Sequence, residues 1–354
     1  MKVSQQFTIT RKQQNQPKVS IIIPTYNEIE HIGNCVQTII NQDYSFISQI
    51  LIFDGNSNDG TWNVLREFAR LDSRIQTYKN PLRLQSIALN SGIEKSTGDI
   101  IVRIDAHALY AFNYVSSCVA ALSSTKASCV GGGVNLISGQ RFLPKLIGLV
   151  QQHPFGTGVA RFRRESYEGF VDTVWPGAYR KEVFEKIGLF REYLPRTEDL
   201  DFHARMRQKG LSIFQTPKIK PSYHSRETFL SLFMQYFGNG REVIKTIPTN
   251  LSAISFRHLV PLLASVVFVL GFILAISNTN MKTMLFGLIF IYFMSITIAS
   301  IQIGIKNGLA YSITAPIIFI TIHLGYSLGS WAGLFMLFIN FIKSRLSLIF
   351  EERK

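Results

Sequence analysis

The sequence predicts an α/β domain, a mostly parallel sheet with helices on both faces, followed by C-terminal membrane helices. Three observations predict it. Short β-branched apolar runs alternate with segments of helical spacing over the first hundred or so residues. Each early run ends in a polar, acid-bearing loop, as strands of a sheet covered on both faces do. Finally, the uncharged apolar runs Leu259–Ile276, Met284–Ile305 and Ile313–Phe338 are about 18, 22 and 26 residues long. A spanning helix needs roughly 20.

Val19-Ser-Ile-Ile-Ile-Pro24 reads as a buried strand that stops at a proline. Glu30–Ile40 has helical apolar spacing through Ile32, Val36, Ile39 and Ile40. Ile50–Phe53 is a second strand, ending at Asp54. The loop Asp54-Gly-Asn-Ser-Asn-Asp-Gly-Thr61 fails as a calcium loop: its sixth position is Asp59 and its twelfth Leu65. It reads as a tight turn with Gly55 and Gly60 supplying positive φ. Trp62–Leu71 is helical, with Trp62, Leu65, Phe68 and Ala69 on one face, and Gln85–Glu94 is a further helix. Ile100–Ile104 is the next strand. Gly131-Gly-Gly133 suits a strand kink or a close backbone approach.

The 354 residues suffice for one large domain plus an appendage. We expect a polar tail over 1–17, the α/β domain over 18–228, an amphipathic segment over 229–257, a membrane region over 258–342 and a basic tail over 343–354. The net charge is +14, of which +9 precedes Arg257. A basic domain tethered to a bilayer suits anionic headgroups and phosphorylated substrates. No zinc finger, RNA-binding aromatic motif or basic helix supports nucleic acid as a partner. Met1–Lys18 lacks the apolar core of a signal peptide, which predicts a cytoplasmic first domain. Cys35, Cys118 and Cys129 lack metal-ligand spacing and read as reduced, buried thiols. Three full spans would place Lys343, Arg345, Arg353 and Lys354 outside, against the positive-inside tendency. Either Leu259–Ile276 fails to span or the tail breaks the tendency.

Asp105-Ala-His107 follows the strand Ile100–Ile104. Residues two apart on an extended backbone point to one side. Asp105 and His107 therefore project together past the strand's carboxyl end, where open parallel sheets bind nucleotides. A carboxylate beside an imidazole suits a divalent metal.

Val19-Ser-Ile-Ile-Ile-Pro-Thr-Tyr-Asn-Glu28, Asp54–Thr61, Asp105-Ala-His107 and Thr197-Glu-Asp199, in this order, resemble the family-2 glycosyltransferases. Arg103-Ile-Asp-Ala-His107, Asp172-Thr-Val-Trp-Pro-Gly177 and Gln235-Tyr-Phe-Gly-Asn-Gly-Arg241 resemble the succinoglycan-type exopolysaccharide branch. The resemblance covers about residues 18–245. It implies a GT-A-like fold, a nucleotide-diphosphate sugar donor (a UDP-sugar first), a divalent cation and inversion at the anomeric carbon. Asp-x-Asp is usual in the family, and here the last position is His107.

A departing diphosphate needs its charge neutralised, which a cation held by few protein ligands does. His107 is the expected ligand, with Asp105 on the metal or the nucleotide ribose, and Mn²⁺ or Mg²⁺ as the ion. The acceptor hydroxyl needs a general base. Thr197 is a candidate N-cap ahead of Leu200–Gln208, which puts Glu198 and Asp199 in a first helical turn where the dipole favours the ionised form. By resemblance Asp199 is the base and Glu198 supports it or contacts the acceptor. Pro24, Tyr26 and Glu28 are expected around base and ribose, with Asp54, Arg83 and Asn90 as further nucleotide contacts. Trp175 and Gly177 are expected in the acceptor wall, with Gln235 beside the acceptor. Arg241 is a clamp for the diphosphate. Phe229, Leu232, Phe233, Tyr236 and Phe237 fall at helical spacing, either in the membrane interface or facing a core. His224 is a possible extra ligand, and His323, inside an apolar run, has no assigned role.

These features predict a membrane-attached inverting transferase acting on a polyprenyl-diphosphate-linked glycan at the cytoplasmic face. The alternatives are a polyprenyl-phosphate sugar synthase and a catalytically silent scaffold of a polysaccharide assembly complex.

Overall fold

β1 (Val19–Thr25) is buried on both faces and shows why its sequence is uniformly apolar. Val19, Ile21 and Ile23 enter one core cluster and Ile22 a second. At about 1.5–3 kcal/mol gross for each such buried side chain, one strand outweighs any surface ion pair. The computed structural model describes residues 16–133, 135–137, 141–158 and 160–351. The expected polar tail therefore lies outside the described residues except for 16 and 17, as do 352–354 of the basic tail.

After β1 come α1 (Ile32–Ile40), β2 (Ile47–Asp54), α2 (Thr61–Leu71), β3 (Ile75–Lys79), α3 (Gln85–Lys95), β4 (Ile100–Arg103) and β5 (Ala108–Tyr110). Next are α4 (Tyr114–Thr125), β6 (Cys129–Gly131), β7 (Asn135–Ile137), α5 (Phe142–Gln152), α6 (Pro154–Thr157), β8 (Gly169–Phe170) and β9 (Gly177–Arg180). The chain continues through α7 (Glu182–Ile187), α8 (Glu198–Gln208), β10 (Ile213–Gln215), β11 (Pro221–His224) and α9 (Phe229–Thr246). It ends in α10 (Phe256–Ala275), α11 (Thr279–Asn307) and α12 (Leu309–Glu351).

The chain divides into two compact units. The first, 1–135 with 161–223, holds an eight-stranded sheet in the order β3-β2-β1-β4-β9-β6-β10-β8. β1 runs parallel to β2 and β4, β2 to β3, and β6 to β10. β9 is antiparallel to both β4 and β6, and β8 to β10. β5 pairs antiparallel with β11. Helices α1 and α4 cover one face, through Ile32, Val36, Val115 and Leu122. Helices α3, α7 and α8 cover the other, through Leu89, Phe184 and Phe202. Gly132 permits the predicted close approach: a Cβ there would lie 1.8 Å from the Ile219 carbonyl oxygen. Cys35, Cys118 and Cys129 are buried free thiols.

The second unit joins 136–160 to 224–354. Two expectations change here. Residues 136–160, read from sequence as part of the α/β domain, fold with the apolar helices: Leu146, Ile147 and Val150 share a core with Ile296, Ile318 and Phe319. The expected amphipathic segment is no separate element, because α9 lies along α12. Gly325, Gly329 and Gly333 are four residues apart on α12, and Cβ atoms there would come within 2.9, 2.0 and 2.7 Å of the carbonyl oxygens of Phe233, Phe237 and Arg241. Small residues at this spacing let two backbones touch. α10, α11 and the 309–344 part of α12 are long and apolar enough to cross a membrane, with mean hydropathies of 2.4, 2.2 and 1.5. His323 acquires a structural role. Its Nε2 lies 2.9 Å from the Phe155 carbonyl oxygen and its Nδ1 3.1 Å from the Tyr292 hydroxyl. It ties α6, α11 and α12 together.

Candidate active site

The side-chain alternation of β4 organises the site. Ile100 and Val102 face the α1–α4 layer, and Ile101 faces the layer containing α8. Arg103, two residues on, points to the α8 side by the same period. It is 4% exposed. Its Nε donates to Asp105 Oδ1 at 3.1 Å, and its Nη1 donates to Asp199 Oδ1 and lies 3.7 Å from Glu198 Oε1. One guanidinium thus faces three carboxylates. Burial alone would pull its pKa down, but Asp105, Asp199 and Glu198 outweigh burial and hold it well above its ordinary value. Sequence reading treated Arg103 as part of an apolar strand and missed this role. The signal was an arginine two residues ahead of Asp105 in a run of Ile and Val.

α8 begins at Glu198 as expected, but the Thr197 hydroxyl does not make the capping bond. The helix is held from behind. Buried Asp201 accepts from Arg191 Nη1 and Arg205 Nε, both at 2.9 Å. Arg205 also donates to the carbonyls of Ile187 and Leu189, each at 2.7 Å. Buried His203 bonds the hydroxyls of Thr173 (2.8 Å) and Tyr179 (3.0 Å), fixing the segment that carries Trp175 and Gly177. Burial pushes the His203 ring down to about 3, so it works as a neutral strut.

Burial pushes the Glu198 carboxyl up to about 7, Asp199 adding to the rise and Arg103 opposing it. Asp199 is raised as well, by burial first, with Arg103 opposing. An acid whose native pKa exceeds its ordinary 4.5 binds more protons folded than unfolded, so stability falls as pH rises from 4.5 through about 7. Glu198→Gln is therefore expected to raise the apparent Tm of the detergent-purified chain by about 5 °C near pH 8, with the gain disappearing near pH 4. A gain equal at both pH values, or none, would count against the assignment.

The two loops of the expected nucleotide wall interlock. Asn27 N donates to Ser57 Oγ at 2.8 Å and Glu28 N to Thr61 Oγ1 at 2.9 Å. Of the two glycines predicted at positive φ, Gly60 has it (+102°), whereas Gly55 does not and Asn56 (+58°) takes its place. Pro24, half-buried, is the penultimate residue of β1, which runs one residue past the proline, and Tyr26 is exposed. Arg83 Nη1 reaches the Tyr26 hydroxyl at 3.2 Å and stacks over its ring. Asp54 is fully buried, accepting from Ser57 and from Lys79 Nζ at 2.9 Å.

Asn90 lies on α3. Its amide donates to the Phe190 carbonyl (2.9 Å) and Glu192 Oε1 (3.0 Å) and accepts from Phe190 N (3.0 Å). It pins the 190–192 loop. Glu28 Oε1 lies 3.1 Å from His107 Nδ1, so Glu28 orients the imidazole. The His107 ring meets Tyr223 edge-on at 5.1 Å, and Trp175 meets Tyr223 at 5.4 Å, which brings the expected cation site and Trp175 onto one aromatic residue. Gly177 opens β9, where a Cβ would strike the Tyr179 hydroxyl at 2.6 Å.

Gln235 and Arg241 belong to the other unit, on α9, where Arg241 Nε donates to buried Glu242 at 2.8 Å. The His224 side chain lies outside the described residues. Among the described residues no group of three or more His, Cys, Asp or Glu side chains is placed to hold a metal. Asp105 and His107 would supply one carboxylate and one imidazole.

The glycosyl transferase family 2 model matches residues 20–188. The chain is 27% identical over 317 residues to the succinoglycan biosynthesis protein ExoA of Rhizobium meliloti, covering 89% of this chain and 94% of that one. It is 29% identical over 326 residues to a dolichyl N-acetyl-alpha-D-glucosaminyl phosphate 3-beta-D-2,3-diacetamido-2,3-dideoxy-beta-D-glucuronosyltransferase of Methanococcus voltae, covering 89% and 97%. Among solved structures, the mannosyltransferase PcManGT of Pyrobaculum calidifontis, in complex with GDP-Man and Mn²⁺, has a similar fold. The TM-score is 0.55 at 17% identity, over 90% of this chain and 87% of that one. The sheet is GT-A-like, and residues 20–188 match the family-2 glycosyltransferase model.

Proposed function

We propose that the protein is an inverting, cation-dependent transferase at the cytoplasmic face of a membrane. It moves a sugar from a nucleotide-diphosphate donor to a polyprenyl-diphosphate-linked glycan. The observation that carries this reading is the convergence of Asp105, Asp199 and Glu198 on Arg103. Donor-side and acceptor-side acids share one buried cluster. The Methanococcus relative, named for a dolichyl-phosphate-linked acceptor, and the three apolar helices support a lipid-linked acceptor.

Asp105 and His107 fit a hard cation that completes its shell with phosphate oxygens and water, as Mg²⁺ and Mn²⁺ do. Glu28 orients the imidazole through Nδ1, and His107 would take the cation through Nε2. When bound, the cation neutralises charge on the leaving diphosphate. Asp199 then takes the acceptor proton, with Arg103 favouring its ionised form. Tyr26 and Arg83 grip the nucleotide from the exposed side.

A panel of UDP- and GDP-sugars, incubated with membranes containing the chain, tests the reading. One donor is expected to label a solvent-extractable lipid glycan, with a chelator abolishing the label and Mn²⁺ or Mg²⁺ restoring it. No labelling from any donor would sink the function, and indifference to chelator would sink the cation.

A further inference from the structure

Arg103 has no explanation in stability. It sits in the central sheet as the register partner of Ile22, among Ile and Val. A buried ion cluster is seldom more stable than a well-packed apolar one. What a guanidinium offers here is geometry. Its planar fork sends Nε to Asp105 and Nη1 to Asp199 and Glu198, so the spacing of acids from two different elements is set by one rigid group. Asp105 lies in the loop after β4 and Asp199 in the first turn of α8. Through Arg103 both are referred to a strand in the interior of the eight-stranded sheet.

We propose that Arg103 is a positioning residue for the transfer, bridging Asp105 on the leaving-group side to Asp199 on the acceptor side. The inference rests on the function proposed above. It makes a specific demand: removing Arg103 disturbs both halves of the reaction, and each disturbance needs its own carboxylate partner to be seen.

The test is a pair of double-mutant cycles on the full-length chain in detergent, reading kcat and donor KM with the donor and cation that the panel identifies. Arg103→Met is expected to lower kcat roughly 100-fold and to raise donor KM about tenfold. In an Asp199→Asn background its effect on kcat shrinks to less than about tenfold, and in an Asp105→Asn background its effect on KM disappears. Arg103→Lys keeps the charge and guards against a folding defect, and it is expected to recover about tenfold of the lost kcat. Costs that simply add in both backgrounds, or equal activity of the Met and Lys variants, would overturn the bridge while leaving the transferase reading intact. A wild-type chain that transfers from no donor would overturn that reading, and the bridge with it.

Discussion

Asp199→Asn is expected to lower kcat by about 10²–10⁴-fold while leaving donor KM within a few-fold of wild type, measured by transfer to the lipid-linked acceptor. The amide keeps the size of the carboxylate and an oxygen for Arg103 Nη1, so the fold should survive. What it lacks is the ability to take a proton. An unchanged melting temperature beside the lost rate would separate chemistry from folding. Retained activity would sink Asp199 as the base. It would point instead to an acceptor that is already ionised, a lipid phosphate, which needs no base. That outcome would favour a polyprenyl-phosphate sugar synthase.

Gly329→Leu is expected to break the membrane unit. A Cβ at Gly329 would stand 2.0 Å from the Phe237 carbonyl oxygen and 2.7 Å from its carbon, both backbone atoms of α9. A flexible side chain could swing aside, but a helix backbone cannot. Overpacking usually costs 1–3 kcal/mol, and here we expect about 3 kcal/mol or more, read as an apparent Tm lower by ~6–12 °C and a lost monodisperse peak. Gly287→Leu on α11 is the control, because nothing lies within 4 Å of a Cβ there. Equal behaviour of the two variants would mean that α9 and α12 do not depend on this contact.

Much of the first unit was legible because a strand buried on both faces must be apolar throughout. The runs at 19–24, 50–53 and 100–104 carry that mark, and each ends where the sheet's carboxyl edge begins. The positions of Asp105, His107, Glu198 and Asp199, at a strand tip and in a first helical turn, were legible for a related reason, since polar groups there stand out against apolar neighbours. The loop contacts of Asn90 were not legible, because a buried amide looks the same in sequence whether it serves a ligand or a loop. Only its distances to Phe190 and Glu192 show those contacts. Likewise, the turn after β2 needed a left-handed residue, but only the structure shows that Asn56 takes it, while Gly55 packs close to Tyr26.

The partners of α9 could not be read locally. Its aromatic spacing suited an interface or a core equally well. The glycines that receive it are about ninety residues further along the chain, and their role shows only once two backbones are seen to touch. The same holds for 136–160, whose apolar residues fitted either unit. What the sequence by itself determined is β1, α1, β2, α2, α3 and β4, the acids at the strand ends and the presence of three long apolar helices, because each follows from local periodicity. What only the tertiary structure decided is that Arg103 is the common partner of Asp105, Glu198 and Asp199. Arg103 and the two α8 acids stand about a hundred positions apart, and they meet because α8 packs on the sheet face toward which Arg103 of β4 points.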